Sequence, residues 1–224
     1  MMSDLTAFHQ QVKTGNLEGV RRTLTDDPSL LDAKNEAGQS ALLLSKYYGR
    51  EDVAAHLLSL HPALDVYSAA AVGDTERVMS EIDRDPSLIE SYSSDGWTPL
   101  HVASFFGQQA TAEKLIERGA NLEARSTNAM KNTPLHAAAA GRKLGLVKLL
   151  LDEGANANAR QEGGWTALHA AAQNGDREIV ELLIAHGADM NARADNNQGA
   201  LDLALMKGRQ DVAEFLSELG ARLE

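Results

Sequence analysis

One six-residue motif recurs along this chain at a nearly constant spacing. The segment 133–138, Thr-Pro-Leu-His-Ala-Ala, matches residues 98–103 before it and residues 166–171 after it. The motif leucines lie 35, 33 and 33 residues apart: Leu100, Leu135, Leu168 and Leu201. A fixed period of this length indicates one supersecondary unit copied in tandem. Such units stack into an elongated array, which presents a long surface and usually no enclosed pocket.

The motif predicts the start of a helix. Each of three copies begins with a threonine, a residue type that commonly caps helix N-termini: Thr98, Thr133 and Thr166. A histidine follows three residues later, where its ring can hydrogen-bond to the exposed amides of the helix start: His101, His136 and His169. We therefore expect both residues of each copy to have a structural role.

The rest of each copy predicts a second helix. An alanine-rich stretch such as 137–140 lets a neighbouring helix approach closely, and a glycine such as Gly107 or Gly175 then ends the first helix. Apolar residues at three- and four-residue spacing follow, as in 179–184. Because one helix pair cannot bury its own apolar face, the core must form between stacked pairs.

These residues resemble the ankyrin repeat, and the segment 164–192 fits that family almost throughout. The resemblance implies an all-α solenoid of stacked helix-turn-helix units, with β-hairpin fingers projecting at right angles to the helices. We expect one domain over residues 1–224 with seven units, of which the first and last are degenerate. Their approximate bounds are 1–34, 35–61, 62–92, 93–127, 128–160, 161–193 and 194–224.

Two segments depart from the pattern. Only 24 residues separate Gly49 from Gly73, so the finger before the third unit cannot fit. This spacing predicts a gap in the row of fingers, with a notch or a change of curvature that is either a harmless deletion or a binding notch. The segment 125–132 is two residues longer than the standard finger and has Lys131 in place of the usual glycine. We expect its tip to be mobile or specialised.

Composition narrows the possible functions. The 21 Lys and Arg against 32 Asp and Glu give a net charge of −11, which argues against general nucleic-acid binding. The charge favours a partner with a basic patch, or it serves only solubility. The absence of cysteine excludes disulfides and Cys-bound zinc. The first residues lack the pattern of a secretory signal and no apolar run could span a membrane, so we expect a cytoplasmic monomer with no membrane partner and no cofactor.

The matched histidines invite a metal or catalytic interpretation, which their spacing opposes. Successive units stack roughly 10 Å apart, too far for two of these rings to share a zinc ion at about 2 Å. The other histidines show no paired spacing and are interpreted as ordinary surface or helix residues: His9, His56, His61 and His186. Since no nucleophile elbow or phosphate-binding loop is present either, we expect no enzyme activity.

The aromatic residues are few, and six of them occupy two kinds of position that are expected to be exposed. Trp97 and Trp165 come just before a motif threonine, whereas the pairs 47–48 and 105–106 come before the glycine that ends a first helix. By resemblance these positions line a concave groove that holds partners, and aromatic residues there make strong contacts. The expected partner contacts are Tyr47, Tyr48, Trp97, Phe105, Phe106, Met130, Asn132, Trp165, Gln173 and Asn174.

A packing role for the aromatic residues remains the alternative. The indoles could brace the next finger, and one member of each Tyr or Phe pair could turn inward, although we expect at least one of Phe105 and Phe106 to be exposed. Three arginines at equivalent finger positions form either a basic ladder or ion pairs with carboxylates such as Asp195 or Glu162: Arg125, Arg160 and Arg193.

The sequence as a whole favours a non-enzymatic module that binds another protein through its helix and finger surface. The alternative is a dedicated inhibitor, or an assembly or regulatory subunit, of one enzyme. A metal-dependent enzyme built on the repeats is the third and least favoured hypothesis.

Overall fold

The computed structural model describes residues 2–223, and within that range the chain forms fourteen α-helices in seven consecutive pairs. The first helices of the pairs are α1 (Met2–Thr14), α3 (Ala41–Tyr47), α5 (Val66–Val72), α7 (Pro99–Phe106), α9 (Pro134–Ala140), α11 (Ala167–Asn174) and α13 (Ala200–Met206). The second helices are α2 (Leu17–Asp26), α4 (Glu51–Ser59), α6 (Thr75–Arg84), α8 (Gln109–Glu117), α10 (Leu144–Asp152), α12 (Arg177–Ala185) and α14 (Gln210–Glu218).

Successive pairs stack so that the first helices form one row and the second helices form another. Small residues allow the close approach within the first-helix row, since the alanines at 69–71, 137–139 and 171–172 are fully buried. The motif leucines Leu100, Leu135 and Leu168 are about as deeply buried and fill the space between units. The all-α solenoid expected from the repeat is therefore confirmed.

The helix boundaries follow the residues that the motif predicts. Thr98 caps α7 through a hydrogen bond from the His101 amide, and Gly107 ends that helix in the left-handed conformation with φ 82°. In the fifth unit Gly141 remains helical, and the left-handed position passes to Arg142 with φ 59°.

Five loops project beside the first-helix row and are called the first to fifth fingers: residues 33–40, 91–98, 124–133, 159–166 and 192–199. They are smaller than the expected β-hairpins. The first and fifth each contain one isolated antiparallel bridge, Lys34 with Ser40 and Arg193 with Gly199. The fourth closes through one bond from the Gln161 amide to the Trp165 carbonyl at 2.8 Å.

The third unit lacks a finger, as the spacing predicts. Helix α4 ends at Ser59 and α5 begins at Val66, so the chain passes almost directly from one helix to the next. The short connection is held by the Asp32 carboxylate, which accepts a hydrogen bond from the Ala63 amide at 2.7 Å.

Of the two expected consequences of the missing finger, a notch or a change of curvature, no notch opens between the first and second fingers of the row. The first finger closes directly onto the second, because the Gln39 side-chain amide donates to the Asp95 carboxylate at 2.7 Å. An opening lies instead on the side of the second helices, where a cavity of about 510 Å³ is lined by Leu58, Leu64 and Arg77 among others. Losing a finger therefore draws the units together on the finger side and separates α4 from α6 on the other.

The longer third finger is tied to its neighbour rather than projecting freely. The Thr127 amide donates to the Gly96 carbonyl at 2.9 Å, and the Asn128 side chain donates to the Asp95 carbonyl at 2.8 Å. Gly96 has φ 77°, and a Cβ there would lie 2.6 Å from the Asn128 nitrogen. Lys131 adopts φ 47° at the position of the missing glycine. The two extra residues thus fold back toward the second finger.

Candidate partner-binding groove

The three motif histidines are structural, and each joins its own unit to the next. The ring Nδ1 atom lies 2.8 Å from the hydroxyl of the preceding threonine in all three copies. The Nε2 atoms of His101, His136 and His169 lie 2.9, 3.2 and 3.1 Å from backbone carbonyls of the next finger. Because a carbonyl only accepts, Nε2 carries the hydrogen and Nδ1 accepts from the threonine. Each Nδ1 atom also accepts a hydrogen bond from the backbone amide of its threonine, at 3.4, 3.3 and 3.1 Å, which is the predicted bond to the helix start. The link to the next unit is a further function of the ring.

Burial keeps these histidines neutral. It lowers the pKa of His101 and of His136 to about 4, although the carbonyl acceptor of each ring opposes the change. Burial also lowers the pKa of His169. Among the described residues, no three His, Asp or Glu side chains are grouped closely enough to hold a metal ion.

His9, interpreted as an ordinary surface or helix residue, does lie within helix α1. What was not expected is that it matches the motif histidines. His9 is 4% exposed and occupies the motif position, because it stands six residues before Gly15 as His101 stands six residues before Gly107. Helix α1 begins before Thr6, so this threonine is not a cap. Burial lowers the pKa of His9, although the backbone of Ala33 and of Leu5 interacts with the ring and opposes this effect.

Each of the three finger arginines donates a hydrogen bond to a backbone carbonyl about one repeat further along the chain. Arg125 donates to the carbonyl of Arg160 at 2.7 Å, Arg160 donates to that of Arg193, and Arg193 donates to that of Arg222 at 2.7 Å. The expected ion pairs with Asp195 or Glu162 are therefore replaced by bonds to main chain, and only Arg193 adds a carboxylate partner, Asp202. The guanidinium groups connect neighbouring fingers.

Four aromatic side chains meet where the first and second fingers close together. The ring of Tyr47 lies 6.1 Å from that of Trp97, 6.3 Å from that of Phe105 and 5.2 Å from that of Phe106. Tyr47, Trp97 and Phe106 also pack against the core. The contact exists because the missing finger brings the second unit within reach of the fourth.

The expectation that Phe105 or Phe106 is exposed is wrong, since both are half-buried. Their mutual contact at 5.1 Å and the ring of Tyr47 cover them. Burial and the nearby Asp95 carboxylate raise the pKa of the Tyr47 hydroxyl. Tyr48 differs from its neighbour, because it is 49% exposed and lies under the Lys13 ammonium group at 5.7 Å.

A cavity of about 430 Å³ opens between the fingers and the first-helix row at the fifth unit. Trp97 and Phe105 line it on the side of the fourth unit, and Trp165 and Gln173 line it on the side of the sixth. Met130, 52% exposed, lies at its edge on the third finger. The structure thus brings together most of the predicted contact residues around one concave space, which we call the groove cavity.

The comparison with known families agrees with this architecture. A family model described as ankyrin repeats (3 copies) matches residues 66–161 and again residues 135–224. The chain belongs to the ankyrin repeat family. The first match begins where α5 begins, so the first two units lie outside both matches.

The charge of this ankyrin repeat chain is unevenly distributed over the two helix rows. Asp and Glu are absent from five of the first helices, namely α3, α5, α7, α9 and α11. The second helix of each of the seven pairs contains at least one Asp or Glu. Much of the acidic excess therefore lies away from the groove. A partner with a basic patch, expected from the net charge, would be attracted to the second helices rather than to the groove.

Two predicted contact residues have mainly internal positions. Asn132 lines the groove cavity but is only 7% exposed, and its backbone carbonyl accepts from His101. Asn174 donates to the Ala139 carbonyl of the preceding unit at 3.4 Å and is half-buried. Each helix within residues 2–223 is too short or too polar to serve as a membrane span.

Proposed function

We propose that this ankyrin repeat array binds a partner protein through the groove between its fingers and its first helices, without catalysing a reaction. Ankyrin repeats are in general protein–protein interaction modules, and the chain belongs to that family. The observation that carries the proposal is the groove cavity, where large apolar side chains surround a space that the fold itself leaves unfilled. Such side chains bury a large area on binding at a small entropic cost.

The groove residues divide by their packing. Trp165, Phe105 and Met130 face the groove cavity, and none of them is among the side chains that pack against the core. Tyr47 and Phe106 pack against the core next to the cavity, whereas Trp97 both packs against the core and lines the cavity. Tyr48, Gln173 and Asn174 extend the contact along the groove.

Trp165→Ala should weaken partner binding by about 2 kcal/mol or more, as expected for a central aromatic contact. The free energy of unfolding should fall by only about 1 kcal/mol or less, because the indole is half-buried and is not among the side chains that pack against the core. Titration calorimetry with a partner captured from the native host measures the first quantity, and urea unfolding measures the second.

Leu144→Ala removes an apolar side chain of α10 that is 44% exposed and does not line the groove cavity, so it serves as the control. Binding of this variant should match that of the wild type. If Trp165→Ala lost as much unfolding free energy as binding free energy, Trp165 would be a packing residue and the proposed contact surface would be wrong.

A dedicated inhibitor or regulatory subunit would use the same groove but hold one partner tightly. The number and stoichiometry of captured proteins separates the two functions, since a general module yields several partners and an inhibitor yields one at a fixed ratio. No observation among the described residues favours a metal-dependent enzyme, because the matched histidines use both ring nitrogens in structural hydrogen bonds.

A further inference from the structure

The groove cavity exists because the fifth unit has small side chains at two positions where its neighbours have large ones. At the position before the capping residue, Asn132 stands between Trp97 and Trp165. Seven residues after the cap, Ala140 stands between Phe105 and Gln173. All six side chains line the same cavity of about 430 Å³. The fifth unit therefore forms a socket one repeat wide, which we define by these six residues.

The wall of the socket contains a polar group that the fold leaves without a partner. Asn132 is 7% exposed, and its side-chain oxygen is buried with no hydrogen bond. Leaving a buried amide unsatisfied costs about 1–3 kcal/mol, so such groups generally have a partner in the functional state. An amide side chain can rotate to offer either its oxygen or its NH₂ group, and it therefore suits the N–H or C=O of a peptide backbone.

The floor of the socket is uncharged. Helices α7, α9 and α11, which supply Phe105, Ala140 and Gln173, contain no Asp, Glu, Lys or Arg. Glu162 is the one Asp, Glu, Lys or Arg among the residues that line the cavity, and it already forms an ion pair with Lys131 at 3.0 Å. An uncharged apolar group can therefore enter without leaving a charge buried and unpaired.

We propose that the socket takes one large apolar side chain from an uncharged segment of the partner, while the backbone of that segment hydrogen-bonds to the Asn132 amide. This inference rests on the proposed function, because it names the chemistry by which the groove recognises its partner. The two tryptophans and Phe105 surround the inserted side chain, and Ala140 leaves the room for it.

The probe for this proposal is a random dodecapeptide library, selected on the immobilised chain. Selected peptides should share one large apolar residue, and its replacement by alanine should weaken binding at least tenfold.

Ala140→Phe fills the socket, so this variant should also bind the peptides at least tenfold more weakly than the wild type. This variant should fold normally, because Ala140 is exposed at the end of α9. Ala110→Phe, at an exposed position on the second helix α8, should bind the peptides as the wild type does.

Asn132→Ala provides a second variant that adds no bulk. Its affinity for the selected peptides should be lower than that of the wild type by about threefold to tenfold, because the substitution removes the hydrogen-bonding amide but leaves the apolar side chains of the socket in place. The chain contains only two tryptophans, so the two indole N–H signals in an NMR spectrum report on opposite walls of the socket. Both signals should shift when a selected peptide binds to the wild type.

Different failures contradict different parts of the account. Selected peptides that bound Ala140→Phe as tightly as the wild type but bound Tyr48→Ala more weakly would lie in the groove but outside the socket. That result would overturn the socket proposal. If no peptide were selected but N-acetyl-tryptophanamide alone shifted both indole signals, the socket would be a small-molecule site and the partner assignment would be wrong. Absence of both peptide binding and indole shifts would overturn the socket outright.

Discussion

Leu135→Ala is expected to lower the free energy of unfolding by about 2–5 kcal/mol, the range for truncating a large buried aliphatic side chain. Leu135 is 1% exposed and lies between the fourth and sixth units, with buried residues of both in the same core cluster. Removing it leaves a void that the stack cannot close without shifting a whole unit. Urea unfolding followed by circular dichroism measures the loss.

The matched control is Leu144→Ala, which makes the same chemical change on the neighbouring helix α10. Leu144 is 44% exposed, so the unfolding free energy should change by only about 0.5 kcal/mol. Equal losses in the two variants would mean that the stack does not depend on the motif leucines, and the assignment of the core would be incorrect.

Acidification is expected to destabilise the chain through its buried histidines. Imidazole has a pKa of about 6.5 in the unfolded chain, whereas burial lowers the pKa of His136 to about 4 in the folded chain. The folded state thus resists protonation, so the stabilisation is complete above pH 6.5 and is lost as the pH falls from 6.5 toward 4. Between pH 7.5 and pH 5 this histidine should account for a loss of about 2 kcal/mol.

His136→Gln isolates this effect. At pH 7.5 the variant should be less stable than the wild type by about 1–3 kcal/mol, since it disrupts the bonds to Thr133 and to the Trp165 carbonyl. Its further loss on going to pH 5 should be smaller than that of the wild type by about 2 kcal/mol. Urea unfolding at both pH values measures the difference.

The control for the acid effect is Leu144→Ala, which changes an exposed side chain of α10 that does not titrate. Its stability should follow the wild-type pH dependence between pH 7.5 and pH 5. If His136→Gln showed the same pH dependence as the wild type, the protonation of this buried ring would not couple to folding.

The features that were predicted correctly are those set by local sequence. The threonine cap, the histidine three residues later and the buried motif leucine are positions within the short motif itself, and they recur with the repeat. The missing finger was predictable because the distance from Gly49 to Gly73 limits what the chain can form.

The features that were missed depend on contacts between units that are not adjacent. The closure of the first finger onto the second needs Gln39 to meet Asp95, and no spacing within one unit contains that contact. The same closure places Tyr47 against Phe106 and covers a ring that was expected to be exposed. A three-dimensional arrangement of units was required to find both.

Two other features left a signal in the sequence. His9 could have been found by aligning units on the glycine that ends the first helix, since Thr6 and His9 then fall in line with Thr98 and His101. The socket could have been found by comparing equivalent positions across units, because Asn132 and Ala140 are small where Trp97 and Phe105 are large. Aligning the units on the helix start alone does not reveal that His9 matches His101.

The most direct test of the proposed binding surface is amide hydrogen exchange of the chain alone and in complex with a captured partner. A partner bound in the groove should slow exchange in the second, third and fourth fingers and at the C-terminal ends of α7, α9 and α11, with little change in α8, α10 and α12. Protection confined to the second helices would contradict the proposed binding surface and would place the partner on the acidic side of the stack.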